Sequence, residues 1–380
     1  MIRLPEADAA AFIERYWQKK PCLLRNALPG FTSPITPEEL AGLACEEDVH
    51  CRLILEGDTP GDWSLRYGPF VEDDFLSLGE SGYSLLVSEC EKWIPGLDEL
   101  LDEFRFIPDW RFDDLMISYA PSGGSVGAHV DQYDVFLLQA MGRRRWLYNE
   151  NPTPEATHHS GLELKILEDF NPDQEAVLSP GDILYLPPGC AHHGIALDPC
   201  MTYSIGYRAP SAVDVLESLL LEREQQALEP ARYADPGLET ERHPAEITAR
   251  EIERFRELAL SVLQASPSVW RDTVGRMLSD SSATADPSET VAIALADLDS
   301  GDWMPHPETR LLFHRRDGAI DVYCNGEVYA LPDEAGVVET LLQLCENRLW
   351  PHDLLQRAFA VEPLRNLLFT LASCGAIIRD

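Results

Sequence analysis

Residues 118–136 read SYAPSGGSVGAHVDQYDVF: the end of one strand-like run, a Pro-Ser-Gly-Gly loop, a His129-Val130-Asp131 triplet and the start of another run. Similar runs recur on either side: CLLR from Cys22, CRLILE from Cys51, SLLVSEC from Ser84, DLMISYA from Asp114, DVFLLQAM from Asp134, RRWLYN from Arg144, DILYLPPG from Asp182 and MTYSIGYRA from Met201. Pro, Gly, Asp and Asn clusters separate them, the spacing of an all-β barrel or jelly roll, and this zone spans residues 1–208. Helices are expected over 9–18 and 37–44, with Asp8 and Thr36 as N-caps.

On an extended strand residues i and i+2 share a face, so His129 and Asp131 present an imidazole nitrogen and a carboxylate oxygen to one point, where a metal could sit. The glycines ahead of them let the backbone turn tightly. An H-x-D triplet alone is common by chance. What raises it is a later stretch, SPGDILYLPPGCAHHG over 179–194, whose His192 lies 63 residues beyond His129, room for the strands that return a barrel to its starting edge. Two histidines and a carboxylate occupy one face of an octahedral metal and leave three positions open, the facial triad of non-haem Fe(II) oxygenases. His193 competes for the third place, although strand alternation points it to the other face.

Beyond residue 208 the pattern changes. Over 209–280 Ser211 caps a helix with Val213, Leu216, Leu220 and Leu221 at helical spacing. A second helix over 246–265 carries Ile247, Ile252, Phe255, Leu258, Val262 and Leu263 on a broad stripe. Such stripes pack either against each other or against a second subunit, which makes this the expected dimerisation region. Residues 279–288 read as a linker, and the apolar run from Val291 resumes order. Over 290–380 a hairpin, TRLLFHRR then AIDVYCNGEVYALP, precedes helices over 334–345, 352–359 and 362–374 and a closing strand, AIIRD, an order that resembles a winged-helix module.

The chain holds 30 basic against 65 acidic residues, a formal charge of −35. Phosphate backbones are gripped by Lys and Arg, so this field excludes a generic nucleic-acid binder and favours a basic partner. From Trp303 to Asp380 seven arginines face eleven acids, the wrong sign for a winged helix on DNA. The N-terminal MIRLPEADAAAFIERYW carries early acids and no unbroken apolar stretch, unlike a secretory signal or membrane span. Nine cysteines, odd in number and without a C-x-x-C pair, point to reduced thiols and a cytoplasmic location.

The H-x-D triplet, the PGD-x-x-Y-x-PPG-x-x-H run and the Trp17-x-x-Lys20-Pro21-x-x-Leu24-Arg25 pattern resemble the JmjC subgroup of 2-oxoglutarate oxygenases. Residues 113–146, DDLMISYAPSGGSVGAHVDQYDVFLLQAMGRRRW, are closely similar to the bacterial ribosomal oxygenases, which hydroxylate the β-carbon of an arginine in the sixteenth protein of the large ribosomal subunit. The resemblance implies a mainly β jelly roll (a JmjC or cupin-like double-stranded β-helix), a helical dimerisation region and a winged-helix C-terminus. It implies Fe(II), 2-oxoglutarate and molecular oxygen, with Fe(II) on His129, Asp131 and His192, the family spacing favouring His192 over His193. It places the distal carboxylate of 2-oxoglutarate on Arg144, the fifteenth residue after the first histidine, with Ser118 adding a hydroxyl. A planar guanidinium suits a carboxylate bidentately, whereas Arg143 and Arg145 read as residues of a solvated turn. For a substrate arginine it implies Asp114 as counter-charge, with Met116 and Tyr133 flanking the side chain.

Four rivals remain at this stage: hydroxylation of a ribosomal-protein histidine, a non-enzymatic cupin-like binding module, a zinc hydrolase on the same three ligands, and a transcription regulator. The third lacks an evident general base. The last is disfavoured by the charge of the C-terminal zone.

Overall fold

Strands whose alternate residues are apolar must bury one face, and the N-terminal unit, 1–209, folds twelve strands into two antiparallel sheets that do so. The computed structural model describes residues 2–5, 8–59, 62–153, 156–225, 231–238, 243, 245–280 and 302–379. In chain order the strands of this unit are β1 (Cys22–Leu24), β2 (Cys51–Leu55), β3 (Ser64–Tyr67), β4 (Tyr83–Val87), β5 (Phe112–Ala120), β6 (His129–Val130), β7 (Asp134–Met141), β8 (Arg144–Tyr148), β9 (Gln174–Leu178), β10 (Ile183–Leu186), β11 (Ala191–Ala196) and β12 (Cys200–Tyr207). The large sheet runs β1-β10-β7-β12-β5-β4-β2-β3 and the small one β6-β11-β8-β9. Eight of the twelve coincide with the runs read from the sequence. The others, β3, β6, β9 and β11, are short or carry mixed polarity.

Helices α1 (Ala9–Arg15), α2 (Pro37–Leu43), α3 (Glu72–Leu76) and α4 (Leu97–Asp102) complete the unit. Asp8 accepts from the Ala10 amide at the start of α1, and Thr36 forms a capping box with Glu39 on α2. The main core lies on the helix side of the large sheet, where Phe12, Leu40, Leu97 and Phe104 meet Leu115, Ile117, Phe136, Leu138, Tyr203 and Ile205. Period two then obliges Asp114, Met116 and Ser118 on β5, and Thr202 and Ser204 on β12, to face the small sheet. Val135, Leu137, Leu184 and Leu186 of the large sheet meet Trp146, Tyr148, Ala176 and Leu178 of the small one in a second, thinner apolar layer. The functional residues occupy the polar part of that space between the sheets.

A buried ion pair locks the N-terminal segment to the barrel. Asp134, fully buried, accepts from Tyr185 Oη at 2.6 Å, Gln18 Nε2 at 3.0 Å and Arg111 Nη2 at 3.0 Å. The Arg111 guanidinium lies 5.2 Å from the centre of the Trp17 ring, which stacks on Tyr185. This gives the Trp17 motif a structural reason.

The second unit, 210–380, is described by itself. It holds α5 (Ala212–Gln225), α6 (Ala249–Leu263), α7 (Pro267–Ser279), β13 (Trp303–Pro305), β14 (Leu311–Arg316), β15 (Ala319–Cys324), β16 (Glu327–Pro332), α8 (Ala335–Glu346), α9 (His352–Ala360), α10 (Glu362–Ser373) and β17 (Ile377–Arg379). The sequence separates a helical zone from a C-terminal zone, yet both fall in this one unit: Arg271 of α7 pairs with the buried Asp321 of β15 at 3.0 Å. The expected single hairpin is a three-stranded meander, β14-β15-β16, because Asn325-Gly326 makes a second tight turn. The closing strand β17 pairs with β13, and Trp350 is fully buried among the C-terminal helices with its indole N–H donating to the Leu344 carbonyl. Helix α7 was not expected, although Ser266-Pro267 is an N-cap followed by proline at the first helical position. Of the linker expected over 279–288, Ser279 ends α7 and Asp280 is its C-cap, while 281–288 and the run from Val291 lie outside the described residues.

Replacing Asp134 by alanine would strand the Arg111 charge in the interior. Urea denaturation should show a loss of about 3–5 kcal/mol, while a variant as stable as the wild type would show that this pair does not hold the N-terminal segment.

Candidate metal centre

β6 pairs with β11 so that His129 lies opposite His192. The strand is only two residues long, so Asp131 belongs to the turn that follows it rather than to the extended run that the sequence suggested. The side chains converge nevertheless. Asp131 Oδ2 lies 3.7 Å from His129 Nε2 and 3.5 Å from His192 Nε2, and among the described residues this is the one group of three ligand-type side chains drawn together in this way.

Hydrogen bonds select the ring atoms that face the centre. His129 Nδ1 is 3.0 Å from the Gly127 carbonyl and His192 Nδ1 is 3.0 Å from the Cys190 carbonyl. A carbonyl only accepts, so each Nδ1 carries the proton and each Nε2 offers a lone pair to the point shared with Asp131. Burial, assisted by the neighbouring His129 ring, holds His192 down to about 4, which keeps that lone pair free at neutral pH. His193 does not join the group: its Nε2 lies 2.8 Å from Ser125 Oγ and its ring meets Phe170.

The three consecutive arginines part company. Arg143 pairs with Asp198 at 2.8 Å and Arg145 with Glu175 at 2.8 Å, both near the surface. Arg144 is 3% exposed and makes no ion pair with any described residue. Its Nη1 donates to Ser118 Oγ and Thr202 Oγ1, each at 3.2 Å, while Nε and Nη2 are buried without a partner. Burial pulls the guanidinium below its ordinary value. Trp146 links this cation to the triad, its ring 5.4 Å from Arg144 Cζ and 5.8 Å from the His192 ring. Gly194 makes room for both: a Cβ there would fall 2.8 Å from the indole and 3.0 Å from Arg144 Nε. A buried cation with two free N–H groups fits an anionic ligand, and two nitrogens with one carboxylate oxygen fit Fe(II).

Further along β5, Asp114 and Tyr133 lie over the Gly206 backbone, where a Cβ would meet Asp114 Oδ1 at 3.2 Å and the Tyr133 ring at 3.8 Å. Burial, reinforced by the charge of Asp113, pushes the Asp114 carboxyl up to about 6. Met116 faces the same way, with Arg52 Nη2 3.6 Å from its sulfur. Sequence reading overlooked Thr202, Gln139 and Trp146. Thr202 Oγ1 donates to Gln139 Oε1 at 3.2 Å, and both are polar residues inside otherwise apolar runs, which was the available signal.

A jelly roll that focuses two imidazoles and one carboxylate on a point is the scaffold of a mononuclear non-haem iron oxygenase. The JmjC domain pattern matches residues 99–215. The chain is 40% identical over 270 residues to the ribosomal protein uL16 3-hydroxylase of Escherichia coli, covering 71% of each. It is 32% identical over 352 residues to a probable ribosomal oxygenase of Haemophilus influenzae, covering 87% of this chain and 83% of that one. The solved structure of the E. coli ribosomal oxygenase YcfD with cobalt and 2-oxoglutarate superposes over 100% of this chain and 99% of its own, with a TM-score of 0.80 and 32% identity. The chain belongs to the JmjC-domain ribosomal oxygenases. As an enzyme of that family it works with Fe(II), 2-oxoglutarate and molecular oxygen.

The state of Arg144 carries a thermodynamic signature. Ser118 Oγ also reaches the Thr202 carbonyl and Thr202 Oγ1 reaches Gln139, so removing the guanidinium strands neither hydroxyl. Arg144→Met should therefore leave the thermal midpoint of the ligand-free protein unchanged or raise it; a clear drop would reveal a compensating charge on the folded chain.

Proposed function

We propose that this chain hydroxylates the β-carbon of an arginine in the sixteenth protein of the large ribosomal subunit, its E. coli relative being a ribosomal protein uL16 3-hydroxylase. The observation that carries the reading is the single row on β5, where Asp114, Met116 and Ser118 share the face that leads from the acidic end of the cavity to Arg144. His129, Asp131 and His192 would hold Fe(II); Arg144 and Ser118 would take the distal carboxylate of 2-oxoglutarate. When bound, iron and 2-oxoglutarate would activate molecular oxygen, one oxygen atom ending in the succinate formed with carbon dioxide and the other in the C–OH that replaces the C–H bond.

The chain's own residues do the positioning. Asp114 offers a carboxylate to the incoming guanidinium, and among the described residues it has no cation at ion-pair distance. Tyr133 and Met116 line the stem of the substrate side chain. Trp146, Tyr148, Leu184 and Leu186 keep bulk water from the far side. A histidine substrate would have little use for a buried acid at Asp114.

Two further readings concern the second unit. Val213, Leu220 and Leu221 on α5, and Ile252 and Phe255 on α6, are all more than half exposed, and α6 buries no residue. These faces support a homodimer formed through the helical region. The β14-β15-β16 meander with α8, α9 and α10 supports a winged-helix-like module that binds protein rather than nucleic acid, given its net acidity. No helix among the described residues is long and apolar enough to cross a membrane, and the proposed ribosomal-protein substrate supports a cytoplasmic site of action.

Incubation of the recombinant ribosomal protein with the enzyme, Fe(II) and 2-oxoglutarate should add one oxygen mass to an arginine peptide, and His129→Ala should abolish both that gain and the coupled succinate release. Modification of a histidine instead would reject the substrate assignment. Asp114→Ala should lower kcat/KM by about two orders of magnitude, the cost of losing a buried partner to a charge. Because the Asp114 carboxyl is raised to about 6, it loses its charge as pH falls through that value, and kcat/KM should drop on the acid side; a flat profile from pH 5 to 8 counts against this role.

A further inference from the structure

Two imidazoles face the centre, but their supports differ. His192 follows Pro187-Pro188-Gly189, two residues with fixed φ, and hydrogen-bonds the carbonyl of Cys190 just after them. His129 follows Gly123, Gly124 and Gly127, in a loop that imposes little conformation of its own, and stands on a two-residue strand. Its ring is aimed by the Gly127 carbonyl, so whatever fixes Gly127 fixes the ring.

We infer that Ser125, braced by His193, is a positioning residue that orients His129 through the Gly127 peptide. The inference rests on the reading of His129 as a metal ligand. Ser125 is 3% exposed, and every polar atom it has is engaged. Its hydroxyl accepts from the Gly127 amide at 3.0 Å and lies 2.8 Å from His193 Nε2. Its amide donates to Glu56 Oε1 at 2.7 Å, and its carbonyl accepts from Ser84 Oγ at 2.9 Å. One small side chain thus ties the loop to β4, to β11 and to the segment after β2. From the outside Ile166 closes on Gly127, where a Cβ would stand 3.0 Å from it, and the Leu167 amide donates to the Ala128 carbonyl at 2.8 Å. The role of His193, the residue next to a metal ligand that points away from the metal, is then to hold the hydroxyl that holds the loop. Partners one step removed from a metal set ligand direction, and their loss weakens metal binding about 10- to 100-fold.

The test titrates Co(II) into the metal-free, full-length protein, followed by visible ligand-field absorption, for the wild type, Ser125→Ala, His193→Leu and His193→Gln. Ser125→Ala and His193→Leu should bind Co(II) about 10- to 100-fold more weakly with an altered band, and His193→Gln, which keeps a hydrogen-bonding atom, should recover most of the loss. Wild-type affinity and spectrum in both folded, weakened candidates would overturn the inference. If Ser125→Ala does not fold, the two His193 variants decide alone, with equal binding by both counting against it. A wild type whose Co(II) binding survives His129→Ala would instead defeat the metal-centre reading, and this inference with it.

Discussion

A guanidinium shut between two β-sheets, with the field of Glu56 near it but no carboxylate at ion-pair distance among the described residues, is the constraint on which the rest of this structure turns. Burying a charge is costly unless it is paired, and the chain leaves Arg144 with two hydroxyls and two idle N–H groups. The surrounding barrel has to be rigid enough to tolerate that. The thick core of aromatic and aliphatic side chains beneath the large sheet and the Asp134–Arg111 lock at the start of β7 provide the rigidity. Stability is thereby generated on one side of the large sheet and spent on the other.

Much of this was legible because strands have an exact period of two. Once Leu115 and Ile117 are assigned to the core, Asp114, Met116 and Ser118 must line the cavity, and the same logic separates His192 from His193. Short strands escaped because they lack enough residues to show a period: β6 has two, and β11 reads AHHGIA, with polar and apolar residues on both faces. The turn that begins at Asp131 shows that convergence on a point does not require both ligands to share a strand. Thr202 and Gln139 stood out only as polar residues in apolar runs, and their partners could not be read because Arg144 and each other are distant in sequence and meet only when β7, β8 and β12 assemble.

In the second unit the sequence pattern located every helix but α7. Exposed apolar stripes on α5 and α6 marked those helices correctly, but the ion pair of Arg271 with Asp321, which joins residues fifty apart across stretches that composition separates, could not be read from the sequence. Long-range charge pairs leave no periodic trace. The net charge of −35, by contrast, is a property of the whole chain and needs no fold to be read. It acts before contact, biasing encounters towards basic polypeptides.

The missing side chain at position 194 has a further meaning. Because the indole of Trp146 and the guanidinium of Arg144 both press against the bare backbone of Gly194, the size of the cavity and the location of its positive charge are not independent variables. Any enlargement of that residue displaces the cation together with the wall. Gly194 thus couples the shape of the cavity to the place of its positive charge for as long as the chain keeps its arginine on β8.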